Sequence, residues 1–584
     1  MRELVLTGHK DIWPVMEEQA LFLSQQCFCY NQKYGFLEQE KFKIAPSPWK
    51  NPQDILDASL YVDDLYDRII PKLTIIMNEL YGLSYSERFW NAYMITWLNN
   101  WLGVVYDRYR RLEHVGESFK ERFLVKIIAK DLPVAKDVSD FMEKNMKSHS
   151  YNQILMSDII KHAQFDFLNY EKISDLSEEQ TGNRNISFTK RVKKTMTLSK
   201  NRVEDYLNRF FTNSMYLGLI YGISLKDKIY LQFYRDWAFL FRKRIDLAKK
   251  AVRIKRTELN AAHLEFGAKN RFERIIEKIM LKHVPDNLLA TYEFKGKIAP
   301  RIKIGIGMDI YTSLVGRSEI AFILEKGGRW ISAQHGGSYG QALSFPLGKI
   351  EYEATGGFIT WGWKYKHIYD SNYYALSSPM LSKLKKHEER EDSMIFVGNM
   401  LPAYVYRLNN YLAPEQIKDY LRNKMLFLEH LEQGVLNKLK YRPYFDDYGT
   451  KEMEYVGEIL PKNQFLIKGK LTDFFPRIRL AVIDHPTTTF LQSLAMNTPT
   501  ILYWDPAQFI FCKDASPFFD RLRDAGILFD RPEAAAKKVN EVWPDVKSWW
   551  DNPDRQCVKD DFCFRFARAS VNWRSEWAQF LKGL

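Results

Sequence analysis

Long stretches with apolar residues three and four positions apart dominate the chain up to about residue 290. This spacing places apolar side chains on one face of a helix, so it predicts helices over Tyr61–Leu80, Ser86–Leu112, Arg202–Tyr221 and Asp227–Ala251. Ahead of them, Arg2–Thr7 has the pattern of a strand that runs into a glycine. Residues 1–295 are therefore predicted to form an α/β domain enlarged by helical insertions.

From about residue 297, short β-like runs alternate with helical stretches. The runs are Ile302–Ile306, Trp330–Ala333, Phe358–Trp361, Met394–Val397, Gln464–Ile467, Leu480–Ile483, Thr500–Trp504 and Ile527–Phe529. Strands that alternate with helices predict a parallel, doubly wound sheet. We therefore predict an α/β fold in which residues 296–545 form a second, Rossmann-like domain that binds a nucleotide donor.

The C-terminal tail carries one apolar stripe. Its members are separated by three or four positions, which predicts one helix: Phe562, Phe566, Ala569, Trp573, Trp577 and Phe580. An aromatic stripe of this size must pack on a large surface. That surface is either the tail's own domain or the N-terminal domain, and we predict that residues 546–584 pack back toward the latter.

Composition and charge narrow the function classes. The 85 Lys and Arg residues exceed the 72 Asp and Glu residues, for a net charge of +13 over 584 residues. This mild excess favours anionic ligands, but it does not indicate a nucleic-acid protein. The five cysteines include no Cys-x-x-Cys pair, which argues against a disulfide framework or a structural zinc site. We expect a cytoplasmic protein.

Two features bear on membranes. The start of the chain is broken by charges and predicts no signal peptide. Phe89–Tyr106 is uncharged but contains several Asn residues, so a buried helix is favoured over a membrane span. Basic clusters at Lys190–Lys194 and Arg242–Arg256 are either solvated helix faces or a peripheral contact with an anionic membrane.

A glycine-rich turn follows the predicted strand Trp330–Ala333. It contains His335, Gly336, Gly337 and Ser338. Ligands sit at the carboxyl ends of parallel strands, glycines let the backbone approach them closely, and a His there can act as a base or donate to an anion. The turn is either a functional site of this kind or a structural turn.

A second strand-to-helix junction follows Leu480–Ile483. It contains His485 and the three hydroxyl residues Thr487, Thr488 and Thr489. A helix N-terminus has free N–H groups and a partial positive charge, and the hydroxyls add donors for phosphate. The alternative is that Thr487 is an ordinary N-cap and the other two threonines are incidental.

Three further side chains are candidates. Trp504, at the end of a predicted strand, is placed to stack on a base or sugar, and Asp505 to bind a ribose hydroxyl, although Asp-Pro also simply turns a chain. Arg442 is a candidate phosphate or carboxylate clamp, with an ordinary surface Arg as the alternative. The sequence has no P-loop, His-Glu-x-x-His or Asp-x-Asp metal motif, so no metal or other cofactor is predicted.

Taken together, these motifs resemble a known family. They comprise Leu6, Thr7, Trp13, Pro14, the Trp- and Tyr-rich block Tyr85–Arg111, Gln334–Gly340, Thr360–Trp363, Thr489–Leu491, Asp505-Pro506, Trp549-Trp550, Arg555, Phe566, Trp573 and Trp577. The chain resembles transferases encoded with bacterial O-antigen and surface-polysaccharide genes. The resemblance implies a GT-B-like enzyme, with two Rossmann-like domains that face a cleft.

The resemblance also implies roles for individual residues. His485 with its hydroxyl neighbours is similar to the phosphate-binding motifs of sialyl- and Kdo-transferases that use CMP-activated donors, and His335-Gly336 to the His-Gly of capsule and glycerophosphate polymerases. It implies His335 as the base and His485, Thr487, Thr488 and Thr489 as donor-phosphate residues. The acidic base motif of bacterial sialyltransferases has no match.

Three hypotheses follow. The first is a metal-independent glycosyltransferase that moves a sugar from a nucleotide-activated donor, such as a CMP-linked ulosonic acid, to a glycan or lipid-linked glycan acceptor. The second is a CDP-glycerol-type glycerophosphotransferase that uses the same two histidines. The third is a non-catalytic scaffold of a polysaccharide assembly complex, which would not bind nucleotides.

Overall fold

The computed structural model describes most of the chain. The described residues are 1–31, 33–49, 51–177, 215–233, 239–240, 247–294, 302–312, 314–365, 368–384, 390–408 and 412–584. The basic cluster Lys190–Lys194, most of the predicted helix Arg202–Tyr221 and part of Arg242–Arg256 lie outside them. Within this part of the chain, the predicted α/β class with parallel sheets is confirmed.

The strands form three parallel sheets and one antiparallel pair. In chain order they are β1 Arg2–Val5, β2 Leu21–Phe22, β3 Lys43–Ile44, β4 Phe123–Ile128, β5 Leu168–Ile173, β6 Met215–Leu217, β7 Phe239–Leu240, β8 Leu247–Arg253, β9 Ala290–Phe294, β10 Ile304–Ile306, β11 Arg329–Ala333, β12 Gly357–Thr360, β13 Asn372–Ala375, β14 Glu391–Val397, β15 Leu439–Arg442, β16 Ile478–Ile483, β17 Thr500–Tyr503 and β18 Leu528–Phe529.

Each parallel sheet has its own strand order. The first is β3-β2-β1-β4-β5, the second β13-β12-β11-β10-β6-β7 and the third β15-β14-β16-β17-β18, while β8 and β9 pair antiparallel. Two Rossmann-like domains were predicted, and the described residues contain three parallel sheets. The second sheet takes strands from both sides of the predicted boundary at residue 295.

The helices cover these sheets and join them. They are α1 Pro52–Tyr81, α2 Glu87–Ser118, α3 Val138–Lys147, α4 His149–Ala163, α5 Leu225–Phe233, α6 Arg256–Ala261, α7 Arg271–Ile279, α8 Asp309–Thr312, α9 Leu314–Glu325, α10 Ile417–Glu429, α11 Gln433–Leu436, α12 Glu452–Ile459, α13 Leu471–Phe474, α14 Thr488–Ala495, α15 Ser516–Asp524, α16 Pro532–Val542, α17 Val546–Trp550, α18 Pro553–Phe566 and α19 Trp573–Gly583.

The predicted helical insertion is largely a pair of long helices. Helix α1 starts at a capping box between Asn51 and Asp54, with Pro52 in its first turn, and ends at Gly82 in the left-handed region. Helix α2 contains the uncharged stretch Phe89–Tyr106, whose Trp side chains and Tyr93 are buried in the main core, with Tyr106 partly buried against it. The buried-helix interpretation of this stretch is therefore correct. No helix in the described part of the chain combines the length and apolar character that a membrane span needs.

Several predicted elements were wrong. Residues 215–217, at the end of the predicted helix Arg202–Tyr221, form β6, because Met215–Leu217 pairs with Ile304–Ile306 of β10. The predicted helix Asp227–Ala251 ends at Phe233, and its sequence also contains β7 and most of β8. The predicted strand Gln464–Ile467 is a single bridge at Phe465 next to a 3₁₀ turn. The secondary structure of these segments depends on pairing with distant strands, and the spacing of apolar residues carries no information about that pairing.

The tail forms two helices rather than one. Between α18 and α19, the backbone N–H of Arg568 donates to the Trp361 carbonyl (3.0 Å), and the Arg568 carbonyl accepts from the Ser378 N–H (2.8 Å). Helix α18 packs on α14 and α15 beside the third sheet, whereas α19 packs on α5 and on the core of the second sheet. Phe562, Phe566, Trp573 and Trp577 of the apolar stripe are buried, Phe580 is half-buried, and Ala569, in the break between the two helices, is exposed. The tail crosses from one sheet region to another.

Candidate functional site

The first predicted site turn follows β11. Gln334 fixes its shape, because its Oε1 accepts from the Trp361 backbone N–H (2.9 Å) and the Trp363 indole (3.1 Å), while its Nε2 donates to the Gly336 carbonyl (2.9 Å). Ser338 adopts a left-handed conformation with a φ of 73°. These constraints turn the chain sharply after the strand and direct His335 and the glycines away from the sheet.

The second site turn follows β16 and leads into α14. Asp484 and His485 leave the strand, and Thr487 is the N-cap of the helix. The Thr487 hydroxyl makes no capping hydrogen bond, so the interpretation of Thr487 as an ordinary side-chain cap is not supported. The turn positions the three threonines, which are half-buried, around the N-terminal end of α14.

The two turns are in direct contact. The Gly337 N–H donates to Thr488 Oγ1 (2.8 Å), and Ser338 Oγ donates to the Pro486 carbonyl (3.1 Å). A Cβ on Gly337 would lie 2.5 Å from the Thr488 nitrogen and 2.5 Å from the Thr487 carbonyl carbon. The glycines were expected to let a ligand approach, but Gly337 is needed so that the second turn can approach.

This contact brings together the carboxyl ends of β11 and β16, which belong to different sheets. His335 and His485 therefore lie on adjoining turns. The side chain of His335 is 19 % exposed and that of His485 is 3 % exposed. The arrangement places one partly accessible imidazole and one buried imidazole at the meeting point of two parallel sheets.

His335 belongs to a hydrogen-bonded group with Glu351 and Tyr339. Tyr339 donates its single hydroxyl proton to Glu351 Oε2 (2.7 Å), and His335 Nε2 lies 2.6 Å from the Tyr339 hydroxyl and 3.1 Å from Glu351 Oε1. Since both neighbours of Nε2 are then acceptors, Nε2 carries the proton. The neutral imidazole keeps its lone pair on Nδ1 and can accept a proton there.

Glu351 is fully buried and lies on a short π-helical turn, Gly348–Glu353. Burial raises the pKa of Tyr339 well above its usual value, and the negative charge of Glu351 adds to the effect. Tyr339 therefore stays protonated and keeps donating to the carboxylate. The Glu351 carboxylate is placed to stabilise the positive charge of His335 after the imidazole takes up a proton.

His485 forms a second histidine–carboxylate pair. Its Nδ1–H donates to Asp484 Oδ1 (2.8 Å), which also accepts the hydroxyl proton of Tyr420 (2.7 Å). Lys424 binds Asp484 Oδ2 at 3.1 Å and Glu452 Oε1 at 2.6 Å. With Nδ1 bound to the carboxylate, Nε2 is the remaining nitrogen of His485 for contact with a ligand.

The Asp484 carboxylate is ionised despite its burial. Burial by itself would raise the pKa of Asp484, but the charge of Lys424 and the hydrogen bonds from His485 and Tyr420 outweigh it and lower the pKa. Lys424 behaves in the same way: burial would lower its pKa, and the charges of Asp484 and Glu452 raise it. The network is a buried support beneath His485, in which one lysine pairs with two carboxylates.

Arg442 does not join this site. Its Nη1 donates to the Leu466 carbonyl (2.7 Å) and its Nη2 to the Gly469 carbonyl (3.0 Å). Both bonds hold the loop after β15 to the end of that strand. The two terminal nitrogens that would bind a phosphate, Nη1 and Nη2, thus donate to backbone carbonyls. The clamp role of Arg442 stays a prediction.

Trp504 and Asp505 also lie differently from the expectation. Trp504 is 2 % exposed, and its ring packs between Phe490, Phe511 and Phe519. The side chain is therefore part of the core rather than a surface for stacking a base. Asp505 Oδ1 accepts from the Ala507 N–H (2.8 Å), so this carboxylate stabilises the turn after β17.

Sequence patterns alone did not identify the residues that orient the histidines. Glu351 lies 16 positions after His335, and Lys424 lies 61 positions before His485. No local motif connects either residue with its histidine. Asp484 stands next to His485, so an Asp-His pair at a strand end was the one available signal. Among the described residues, no group of three or more His, Cys, Asp and Glu side chains is arranged to hold a metal ion.

Comparisons with known proteins give one strong match. The sequence model of the LIC12162 family transferase matches residues 2–581. None of the curated proteins matches the sequence. Three solved structures show weak similarity, and TM-scores this low do not establish a shared fold.

The pneumococcal O-GlcNAc transferase GtfA, in complex with UDP and GlcNAc, has a TM-score of 0.28 at 9 % identity, covering 45 % of this chain and 54 % of its own. The wall teichoic acid polymerase TagF has 0.29 at 9 %, covering 68 % and 96 %. The trehalose 6-phosphate synthase from Burkholderia multivorans has 0.30 at 9 %, covering 64 % and 99 %. This chain spans about half the length of GtfA.

Proposed function

Since the chain belongs to the LIC12162 family of transferases, we propose that it transfers a sugar from a nucleotide-activated donor to a surface-glycan acceptor without a metal ion. One observation carries the proposal. The Gly337 N–H lies 2.8 Å from Thr488 Oγ1, so the carboxyl ends of two parallel sheets adjoin, with a histidine–carboxylate pair on each side. Such strand ends are where α/β proteins bind nucleotides, and facing sheets of this kind suit a GT-B-like enzyme.

In the proposed mechanism, Nδ1 of His335 takes the proton of an acceptor hydroxyl. The acceptor oxygen then forms a bond to the anomeric carbon while the bond from that carbon to the donor phosphate breaks. The phosphate leaves with the electron pair. Glu351 stabilises the imidazolium that results, which is the role of a carboxylate behind a catalytic histidine.

The leaving phosphate meets the second turn. The N-terminal end of α14 and the hydroxyls of Thr487 and Thr489 supply donors and a partial positive charge for it. Nε2 of His485 donates to the phosphate when the ring is the imidazolium, whose charge the Asp484 carboxylate balances. Thr488 Oγ1 already accepts from Gly337, and its hydroxyl proton remains for a ligand. Donors fixed in place before the reaction stabilise developing charge without further reorganisation.

We propose the cytoplasm as the compartment, with the acceptor carried on a glycan or a lipid-linked glycan at the inner face of the membrane. The donor is proposed to be CMP-linked, on the resemblance of His485 and its hydroxyl neighbours to transferases that use such donors. The same histidines suit glycerophosphate transfer from a CDP-linked donor, so the mass of the product has to distinguish the two.

The test has a binding part and a chemical part. Thermal shift with CMP, CDP, UDP and GDP identifies the nucleotide, because a ligand at 100 times its Kd adds about 2.7 kcal/mol of stability. Mass spectrometry of the product then distinguishes a hexose or ulosonic acid increment from a glycerophosphate increment. A protein that binds none of the four nucleotides would be a scaffold and not a transferase of this kind.

Variants test the assignment of the site. His335→Ala and His485→Ala are expected to abolish transfer while the thermal unfolding temperature stays within a few degrees of wild type. His430→Ala is the matched control, since His430 is exposed and its ring bonds only to a carbonyl of its own helix. Full turnover in both active-site variants would remove the histidines from the mechanism.

A further inference from the structure

Arg407 extends from the loop after β14 of the third sheet to residues of the second-sheet region. Its guanidinium lies 5.0 Å from the ring centroid of Tyr311, and its Nη2 contacts the Tyr311 hydroxyl. The Tyr311 ring stacks on the imidazole of His335, with centroids 5.8 Å apart and planes at 12°. The ring of Tyr311 thus lies between the guanidinium of Arg407, from the third-sheet region, and the imidazole of His335, the proposed base.

The charge of Arg407 has no carboxylate partner among the described residues. Its other close group is the ring of Tyr406, at 5.0 Å, and its Nε is buried without a hydrogen-bond partner in the described part of the chain. Burial lowers the pKa of Arg407 to about 10, which leaves the group charged at neutral pH. By contrast, the buried Arg108 and Arg111 share the carboxylate of Asp107. Arg407 as a whole is half-buried, but its Nε edge is out of contact with solvent, and a desolvated cation edge without a counter-charge is costly to maintain unless an anion pairs with it.

A small cavity adjoins Arg407, and its other charged groups are already engaged. The cavity has a volume of about 20 Å³ and is lined by Arg407, Asn99, Asp63 and Lys349 among others. Lys349 pairs with Asp67 (2.6 Å) and Glu353 (2.7 Å), and Asp63 accepts from Asn99 and Tyr369. The space holds about one water molecule, so an oxyanion that binds Arg407 from this side displaces that water and requires the lining side chains to move apart.

We infer that Arg407 binds an oxyanion of the activated donor, beside His335 and at the contact between the second and third sheet regions. The inference rests on the proposed function and deepens it. A planar guanidinium matches phosphate and carboxylate equally well, so the oxyanion is either the donor phosphate or the carboxylate of a ulosonic acid sugar. The role proposed for Arg407 is of the same kind as the clamp role that the sequence predicts for Arg442.

The experiment measures anion binding by isothermal titration calorimetry, without requiring turnover. The probes are pyrophosphate, CMP and N-acetylneuraminate, titrated into the full-length wild type, Arg407→Met, Arg407→Lys and Arg555→Met. Arg555 is the matched control, because its guanidinium also packs on an aromatic ring and bonds only to carbonyls, Ala525 and Trp549. Circular dichroism and thermal unfolding verify that each variant is folded.

Arg407→Met is expected to weaken binding at least tenfold, Arg407→Lys to weaken it less, and Arg555→Met to leave it unchanged. Loss confined to pyrophosphate and CMP identifies the phosphate, and loss confined to N-acetylneuraminate identifies the carboxylate. Should Arg407→Met not fold, Arg407→Lys decides, with a measurable weakening expected. Wild-type affinity in the folded Arg407 variants, or no binding of any probe by the wild type, overturns the inference, while the mass of the product tests glycosyl transfer separately.

Discussion

Glu351 Oε1 lies 3.1 Å from Nε2 of His335, and this carboxylate is fully buried. The Tyr339 hydroxyl donates to the other carboxylate oxygen, Oε2, and so fixes the orientation of the Glu351 side chain. His335 lies on a strand-end turn and Glu351 on a π-helical turn, and the two residues are 16 positions apart in the chain. In the proposed mechanism this relationship orients His335 as the base, and it provides the first test.

Glu351→Gln is expected to lower kcat by about 10–100-fold with little change in donor KM, because the amide keeps the shape but cannot balance the imidazolium charge. Steady-state kinetics across pH 5–9 measure the effect, and the pH dependence of kcat is expected to move as well. Glu353→Gln is the control, since that exposed side chain binds Lys349 instead. Equal kcat values for Glu351→Gln and the control would contradict the role.

Gly337→Ala tests the contact between the two turns. The added Cβ would lie 2.5 Å from backbone atoms of Thr487 and Thr488, so one turn must move and transfer should be lost. Gly457→Ala is the control: a Cβ at Gly457 in α12 meets nothing within 4 Å, and Ala in a helix stabilises by about 0.5–1 kcal/mol relative to Gly. Activity and thermal unfolding of both variants are compared, and an active Gly337→Ala enzyme would show that the contact is dispensable.

Lys424→Met tests the support beneath His485. Removal of the cation leaves Asp484 and Glu452 buried without it, which should cost about 3–5 kcal/mol at pH 7. In the wild type the lowered pKa of Asp484 gives stability that is present above about pH 4 and lost as pH falls through the folded value. Without Lys424, burial raises the pKa of Asp484, so this carboxyl takes up a proton at acidic pH and part of the cost is relieved. Urea unfolding at pH 4 and 7 should therefore show a smaller difference between variant and wild type at pH 4.

The matched control for that measurement is Lys547→Met. The Lys547 side chain is 88 % exposed, and solvent screens its ion pair with Asp551, so its removal should leave the free energy of unfolding almost unchanged. A Lys424→Met variant as stable as this control at pH 7 would mean that the buried network is not a support.

Asp63→Asn tests a carboxyl group whose ionised form is disfavoured by burial. Burial raises the pKa of Asp63 to about 6. The folded state therefore binds a proton that the unfolded state releases between pH 4 and 6, and the wild type loses this stability as pH rises through that window. The difference in melting temperature, variant minus wild type, should rise from pH 4 to pH 6 and then level off. A constant difference across pH 4–8 would contradict the raised pKa.

Trp577→Ala tests the crossing of the tail. Trp577 is 1 % exposed in the core of the second sheet, and its indole donates to the Ser377 carbonyl (2.9 Å). Its truncation should cost about 3–5 kcal/mol, measured by chemical unfolding. Phe564→Ala is the control, because Phe564 on the neighbouring α18 is 64 % exposed and its loss should cost less than about 0.5 kcal/mol. Equal stabilities would mean that α19 contributes little.

Local patterns predicted those elements whose own residues decide their structure. Helices α1 and α2 have long apolar faces, and strands such as β16 and β17 have continuous apolar runs, so both kinds of element follow from short-range periodicity. The site turns after β11 and β16 were predicted for the same reason, since a strand end, a glycine or proline and polar side chains are neighbours in sequence. Met215–Leu217 was not, because its strand exists only by pairing with β10.

The sequence by itself determined the α/β class, the two candidate turns and the apolar stripe of the tail, because these depend on residues a few positions apart. Tertiary structure alone decided which turns meet, that Gly337 serves Thr488, that Trp504 is core, and that Glu351, Lys424 and Arg407 surround the histidines. Contacts between distant segments depend on how whole sheets pack. The residues next to a side chain in the sequence therefore do not indicate which distant residue it will contact.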